Sequence, residues 1–351
     1  MPSRIDSMAE DLNSRVPSPA PYTVPMALVQ GTLEGARLRG HLPDTWLKEA
    51  DIAPRLLTRE SARVSTDQYI ALLKLLIARL DDEAIGFLAR PLKPGSLELI
   101  ARAALDETDL LAALRRVSRV MALLQDDLEL ELVHDGTAAG LALRLDSALW
   151  RPRFLHEYMV RILWRLAAWL VGGSLPARRF DFAFEQPPYA RQYGVTFPAP
   201  LRFGQPLSAF WFDARRLTRP VTRDRAALRS FVASWPAAMI VPRRGNEGIV
   251  ARVRLHFDRS RPLWPGLRDT AATFHMSAPT LQRHLAAAGT SFQTLKDELR
   301  RDIAIVRLAA GQDSLAELAL TLGFADSAAF QRAFKGWTGS APGTYRRRAG
   351  A

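Results

Sequence analysis

Leu267-Arg-Asp-Thr-Ala-Ala-Thr-Phe-His-Met-Ser-Ala-Pro-Thr-Leu-Gln-Arg-His-Leu285 and Leu315-Ala-Glu-Leu-Ala-Leu-Thr-Leu-Gly-Phe-Ala-Asp-Ser-Ala-Ala-Phe-Gln-Arg-Ala-Phe334 are two copies of one pattern. Leu267, Asp269, Ala271 and Thr273 return 48 residues later as Leu315, Glu317, Ala319 and Thr321. The second copy then absorbs one extra residue in its turn, and Leu281-Gln-Arg-His-Leu285 returns as Phe330-Gln-Arg-Ala-Phe334. Each copy predicts a short amphipathic helix, a tight turn (holding Gly323 in the second) and a second helix. That second helix begins at an N-cap, Ser277 or Asp326, whose side chain can accept from an otherwise unbonded backbone N–H. Leu281 with Leu285, and Phe330 with Phe334, are four apart and share a buried face. The opposite face carries Pro279, Gln282 and Arg283 in one copy and Ala328, Gln331 and Arg332 at the same spacing in the other. Arginine pairs bidentately with guanine and glutamine with adenine in the major groove, so such a helix is suited to reading base edges. One Gln-Arg pair on a helix is ordinary solvated surface. Two pairs in equivalent helix-turn-helix frames, about 267–288 and 315–338, point to DNA.

Between the copies, Phe292, Leu295, Leu299, Ile303, Val306 and Ala310 recur three or four apart, which predicts one long helix over 292–310 stopped by Gly311. A rigid connector of this kind would set two reading helices into successive major grooves, about 34 Å apart.

These residues resemble the AraC/XylS family of bacterial transcription regulators. The resemblance is carried by Ser277-Ala-Pro-Thr-Leu-Gln-Arg283, Gly289-Thr-Ser-Phe292, Arg300 with Ala304 and Leu308, and Leu322-Gly-Phe324. Phe330-Gln-Arg-Ala-Phe-Lys335, Trp337-Thr-Gly339 and Pro342-Gly-Thr-Tyr-Arg346 complete it, over roughly Gly248 to Arg348. Ala341 departs from the serine that usually precedes this proline, which weakens a helix cap by ~1 kcal/mol and touches no reading position. Carried over by position, the resemblance implies base contacts from Pro279, Gln282 and Arg283, and from Ser327, Ala328, Gln331 and Arg332. Of these, Pro279 and Ala328 offer only apolar contact. Lys335, Thr338 and Arg346 are the expected phosphate contacts, with solvated surface as the alternative reading. The implied partners are double-stranded promoter or operator DNA, RNA polymerase, a second copy of the chain and a small-molecule effector.

The preceding residues read as an α+β unit, in contrast to the all-α C-terminal part with its two helix-turn-helix motifs. Residues 1–22 are polar and proline-rich, a disordered lead-in. Thr66–Leu80, Leu110–Leu124 and Arg153–Val171 have helical periodicity; Leu128–Val133 and Ala139–Leu145 alternate with period two around Asp135-Gly136, a hairpin signal. Further strands are expected at Arg179–Phe184 and Leu207–Phe212. Helices, hairpin, helix and strands in that order predict an antiparallel sheet covered by helices. This pattern, with Tyr193-Gly-Val-Thr-Phe-Pro-Ala-Pro-Leu-Arg-Phe203 and Arg216-Leu-Thr-Arg-Pro220, resembles the AraC-type effector domain named after arabinose binding. That implies a sensor, not arabinose itself as its ligand. Aromatic residues cluster from Trp150 to Phe212, among them Phe154, Tyr158, Trp164, Trp169, Phe182, Phe184, Tyr189, Tyr193, Phe210 and Trp211. Most are expected in the core; some would line a pocket for an apolar effector, with no single effector-binding residue distinguishable. The expected organisation is an effector-binding or oligomerisation domain over 23–234, a linker over 235–246 containing Pro236, Pro242 and Gly245, and a DNA-binding domain over 247–348.

Composition narrows the remaining possibilities. The formal charge of +12 comes almost wholly from arginine, with only Lys48, Lys74, Lys93, Lys296 and Lys335 as lysines, so charge alone is weak evidence for a polyanion. Residues 246–351 hold 15 Lys/Arg against 9 Asp/Glu, a net of +6, leaving +6 for the other 245 residues. No cysteine is present, which excludes disulfides, thiolate metal sites and cysteine nucleophiles. No apolar run approaches the ~20 residues a membrane span needs, and the N-terminus lacks a signal-peptide pattern, so a cytoplasmic protein without membrane contact is expected. His41, His134, His156, His256, His275 and His284 show no metal-ligand spacing, and phosphate-binding, dinucleotide and nucleophile-elbow motifs are absent. Asp81-Asp82-Glu83 and Asp126-Asp127 read as helix-end caps or solvated loops. No cofactor, metal or catalysis is expected. Two rivals stay open: a DNA-binding regulator whose N-terminal domain serves only dimerisation or partner contact, and, more remotely, an enzyme fused to a DNA-binding domain.

Overall fold

The computed structural model describes residues 23–59, 62–145, 152–193, 196–236, 249–261, 263–287, 290–311 and 313–349. The lead-in, Trp150, Gly289 and the linker residues 237–246 lie outside them. Among the described residues, buried apolar side chains form two large cores and one small cluster. The larger gathers side chains from Val24 to Phe231, the smaller from Val253 to Tyr345.

The first part opens with strand β1 (Thr23–Pro25) and helices α1 (Met26–Leu38) and α2 (Asp44–Glu49). Strand β2 (Arg63–Ser65) and helices α3 (Thr66–Leu80), α4 (Ser96–Leu105) and α5 (Leu110–Leu124) follow. Ser65 and Gln68 form a reciprocal capping box at the start of α3, and the Asp109 carboxylate accepts from Ala112 N–H at the start of α5. A hairpin, β3 (Leu128–Asp135) and β4 (Ala138–Leu145), then leads into α6 (Arg153–Leu170). After β5 (Ala177–Asp181), a 3-10 segment at Pro188–Tyr193, β6 (Leu201–Arg202) and β7 (Ser208–Asp213), helix α7 (Arg225–Ala233) closes the unit.

The main sheet has the order β3-β4-β7-β5-β6 and is antiparallel except for the β5/β6 pair. Leu141 and Leu143 of β4, with Phe210 and Phe212 of β7, join α6 in the larger core, while Ala138, Ala142, Ala209 and Trp211 occupy the other face. Of the 18 residues of α6, 14 are buried, because sheet and helices cover it on both sides. The acidic cluster after α3 caps backbone. Asp82 accepts from the N–H groups of Ala84, Gly86 and Leu92, each at 2.8 Å, and Glu83 from those of Gly95 and Leu97.

One element was not expected. Strands β1 and β2 pair as a two-stranded ribbon, Thr23 opposite Ser65. Three residues per strand are too few for a period-two pattern to register in sequence. This ribbon touches the C-terminal part. Asp302, buried in the connector helix, accepts from Arg254 at 2.6 Å and lies 3.7 Å from Arg63 of β2. Thr23 also donates to Asp302, and the Tyr345 hydroxyl donates to the Arg63 carbonyl at 3.1 Å. The surrounding arginines hold the Asp302 carboxyl below the usual carboxylate range despite its burial.

Candidate nucleic-acid interface

The C-terminal part is all helical: α8 (Ile249–Arg259), α9 (Leu267–Thr273), α10 (Ala278–Ala287), α11 (Phe292–Ala310), α12 (Leu315–Thr321), α13 (Ser327–Thr338) and α14 (Pro342–Ala349). The pairs α9/α10 and α12/α13 are the two helix-turn-helix units. Their first helices end in the same hydrogen-bond pattern made from different residues, and the second turn then holds one residue more before its cap. Helix α9 ends with Met276 N–H bonded to the Ala271 carbonyl and His275 N–H to that of Ala272; α12 ends with Phe324 N–H on Ala319 and Gly323 N–H on Leu320. Each is a Schellman closure, which satisfies carbonyls that the helix itself leaves open. The residue in its left-handed position is His275 in the first unit (φ 55°) and Gly323 in the second (φ 70°).

The acidic residue that recurs in the repeat also has one role in both copies. Asp269 accepts from Gly266 N–H at 3.2 Å, and Glu317 from Ser314 N–H at 2.9 Å, each capping the start of the first helix. The expected second-helix caps are present as well: Ser277 Oγ accepts from Thr280 N–H at 3.3 Å and Asp326 from Ala329 N–H at 2.6 Å. Leu281, Leu285, Phe330 and Phe334 are completely buried in the smaller core, which orients the opposite faces of α10 and α13 outward.

The second turn is held by an arginine set between two rings. The Arg300 guanidinium lies between Trp264 and Phe324, 4.8 and 4.9 Å from their ring centres, and donates to the Gly323 carbonyl. Helix α11 carries Arg300 and packs against α8, α13 and α14. At 19 residues it is about 28 Å long, comparable to one turn of B-DNA. Gly311, at φ 73°, terminates it.

Pro279, Gln282 and Arg283 are exposed on α10, as are Ala328, Gln331, Arg332 and Lys335 on α13. Ser327 is half-buried and accepts from the Gln331 amide at 3.2 Å, so it orients a neighbouring reader. Among the described residues, Arg283, Arg332 and Lys335 have no ion pair or hydrogen bond. Other basic residues of this part are engaged: Arg254 and Arg301 with Asp302, Arg261 with Asp258, and Arg307 with Asp313.

Two of the expected phosphate contacts are directed inward. Thr338 is 3% exposed, and its hydroxyl donates to the carbonyls of Phe334 and Ser340, closing the end of α13. Arg346 is half-buried and donates to the Asp313 carbonyl, tying α14 to the loop before α12. Only Lys335 of the three remains free at the surface. The two inward turns depend on tertiary packing, which residue type and position do not reveal.

Residues 40–221 match the family described as the arabinose-binding domain of AraC transcription regulators, N-terminal, and residues 270–348 match a helix-turn-helix domain. The first match alone spans more than half of the chain. The chain belongs to the AraC family of transcription regulators. It is 29% identical over 325 residues to the ornithine utilization regulator of Pseudomonas aeruginosa, covering 92% of this chain and 96% of that one. It is 25% identical over 312 residues to the transcriptional regulator VirS of Mycobacterium tuberculosis, covering 87% and 90%. The solved structure of the transcriptional regulator CdpR from P. aeruginosa aligns with 71% of this chain and 81% of that chain at 22% identity, with a TM-score of 0.29. This AraC-family chain is thus a DNA-binding transcription regulator with an arabinose-binding-like N-terminal domain, and no helix among its described residues is long and apolar enough to cross a membrane.

The N-terminal part holds a group that sequence reading passed over. Glu157 of α6 is 3% exposed and accepts from the hydroxyls of Tyr189 (3.2 Å) and Tyr193. Burial pushes its carboxyl up to about 7, against the lowering effect of those two hydrogen bonds. The available signal was compositional: Glu157 is the lone acidic residue in the expected helix 153–171.

Proposed function

We propose that this regulator reads promoter DNA with two equivalent helices, Gln282 and Arg283 on one and Gln331 and Arg332 on the other, making the base-specific contacts. The observation that carries the reading is the pair of arginines, unpartnered among the described residues, at equivalent positions of the second helices of two units that close their first helices alike. Pro279 and Ala328 would supply apolar contact to thymine methyl groups, Ser327 would orient Gln331, and Lys335 would bind phosphate. The organisation that goes with it is an effector-binding and oligomerisation domain over 23–234, a linker over 235–246 and a DNA-binding domain over 247–348. It acts in the cytoplasm without catalysis of its own, as a homodimer contacting RNA polymerase, and responds to a small effector. Fluorescence anisotropy with DNA from the regulated promoter tests the reading. The Arg283→Ala/Arg332→Ala double variant should lose about 2–6 kcal/mol on the specific site and little on random DNA. Unchanged preference for the specific site would overturn the assignment of readers.

A further inference from the structure

We propose that Glu157 is the recognition point for a cationic, primary-amine effector at the junction of α1, α6 and the Pro188–Tyr193 segment. This rests on the reading of the N-terminal domain as a sensor and names the chemistry it senses.

The geometry around one carboxylate carries the inference. Glu157 Oε1 is occupied by the Tyr189 and Tyr193 hydroxyls, whereas Oε2 is buried and has no hydrogen-bond partner among the described residues. Neither protonation state resolves this. Ionised, Oε2 is a charged acceptor without a donor; with the proton on Oε1 toward a tyrosine hydroxyl, Oε2 is still a carbonyl oxygen without a donor. An orphaned buried polar group is costly, most of all when charged, and a ligand, an ion or a water can meet it.

The surroundings select that partner's sign. Glu34 of α1 is half-buried and adds a second negative charge that raises the Glu157 carboxyl further. Arg153, one turn before Glu157, opposes it through space, with no ion pair among the described residues. The hydroxyl of Tyr69 on α3 is taken up by Thr32 at 2.7 Å. Among the described side chains, Glu157 faces Glu34, Arg153 and the tyrosines, while Arg37 acts on Glu34 and Arg161 on Tyr69 from further out. An ammonium would supply the missing donor and pair with the carboxylate that no ion pair among the described residues neutralises. Behind Tyr193, the rings of Phe197, Phe182 and Phe203 pack 5.4, 6.1 and 6.4 Å from its ring centre and fix the position of its hydroxyl on Glu157. The apolar effector expected from aromatic content alone is replaced by one with a positive head.

The experiment uses the full-length protein in thermal-shift and calorimetric titrations. The probes are 1,4-diaminobutane, L-ornithine and L-lysine, set against hexanoate, benzoate and L-arabinose. At least one amine is expected to bind and raise the melting temperature. Glu157→Gln should weaken that binding about tenfold or more. Amine affinity should rise between about pH 6 and about pH 8 in the native protein, because binding requires the ionised carboxylate, and the rise should vanish in Glu157→Gln. If that variant does not fold, Tyr193→Phe and the native pH profile decide in its place. A neutral or anionic probe that binds while the amines do not, or amine binding indifferent to pH and to both substitutions, overturns the Glu157 site and leaves the sensor reading standing. No binding from either set overturns both.

Discussion

The two helix-turn-helix units share a hydrogen-bond pattern but are not equally tolerant. In the first, the left-handed residue of the turn is His275, exposed and able to carry a side chain at modest cost. In the second it is Gly323, where a Cβ would come within 2.4 Å of Trp264 Cδ1. The first unit therefore meets the backbone requirement alone. The second also depends on close approach to Trp264, with Arg300 holding its carbonyl. A repeat can thus conserve a conformation while the packing around it differs, and it is the packing that decides which residues each copy accepts.

Substitution at the turn should produce the largest contrast. Gly323→Ala is expected to cost about 3 kcal/mol, combining left-handed strain with the clash against Trp264. His275→Ala should cost well under 1 kcal/mol, since strain is already present there. Urea unfolding followed by helical circular dichroism compares the two, and equal costs would mean that Trp264 yields freely.

The reading faces come next. Arg283→Ala and Arg332→Ala should each lose about 1–3 kcal/mol, each relaxing preference at a different half of the operator. Binding to operators mutated in one half at a time shows which half each residue reads. If both variants relax the same half, the two frames do not address separate grooves. Lys335→Ala should weaken all sequences alike and reduce the salt slope by about 1.

A smaller difference lies at the caps. Asp326→Ala should cost about 1 kcal/mol and Ser277→Ala less, because the Asp326 bond is shorter and charge-assisted. Chemical denaturation of both variants checks the order. The smallest effect carries the opposite sign: His275→Gly should stabilise by about 0.5 kcal/mol, the relief of strain exceeding the extra chain entropy of glycine. A loss of stability would show that the His275 side chain makes a contribution beyond its backbone angle.

Legibility followed the range of the interactions. Helices α3, α5 and α11 have the boundaries that periodicity indicated, since amphipathic spacing and caps such as Asp109, Ser65 and Gly311 act within a turn of the chain. The expected strand at Arg179–Phe184 begins and ends earlier in the structure, at Ala177–Asp181, so that Phe182 and Phe184 join the aromatic cluster beyond it. Thr338 and Arg346 looked like surface residues because position on a helix does not reveal which carbonyls lie nearby.

By itself, the sequence determined the two helix-turn-helix frames, their connector, the α+β character of the first part and the four outward Gln and Arg residues. Each of these depends on residues at most a few turns apart, where chain geometry is nearly invariant. Tertiary structure alone decided that Asp302 meets Arg63 across more than 200 positions, that Trp264 restricts Gly323, and that Glu157 stands buried between two tyrosines with one oxygen unpartnered. Those outcomes depend on which distant surfaces pack together, and burial, which sets the energy of a charge, exists only after they do.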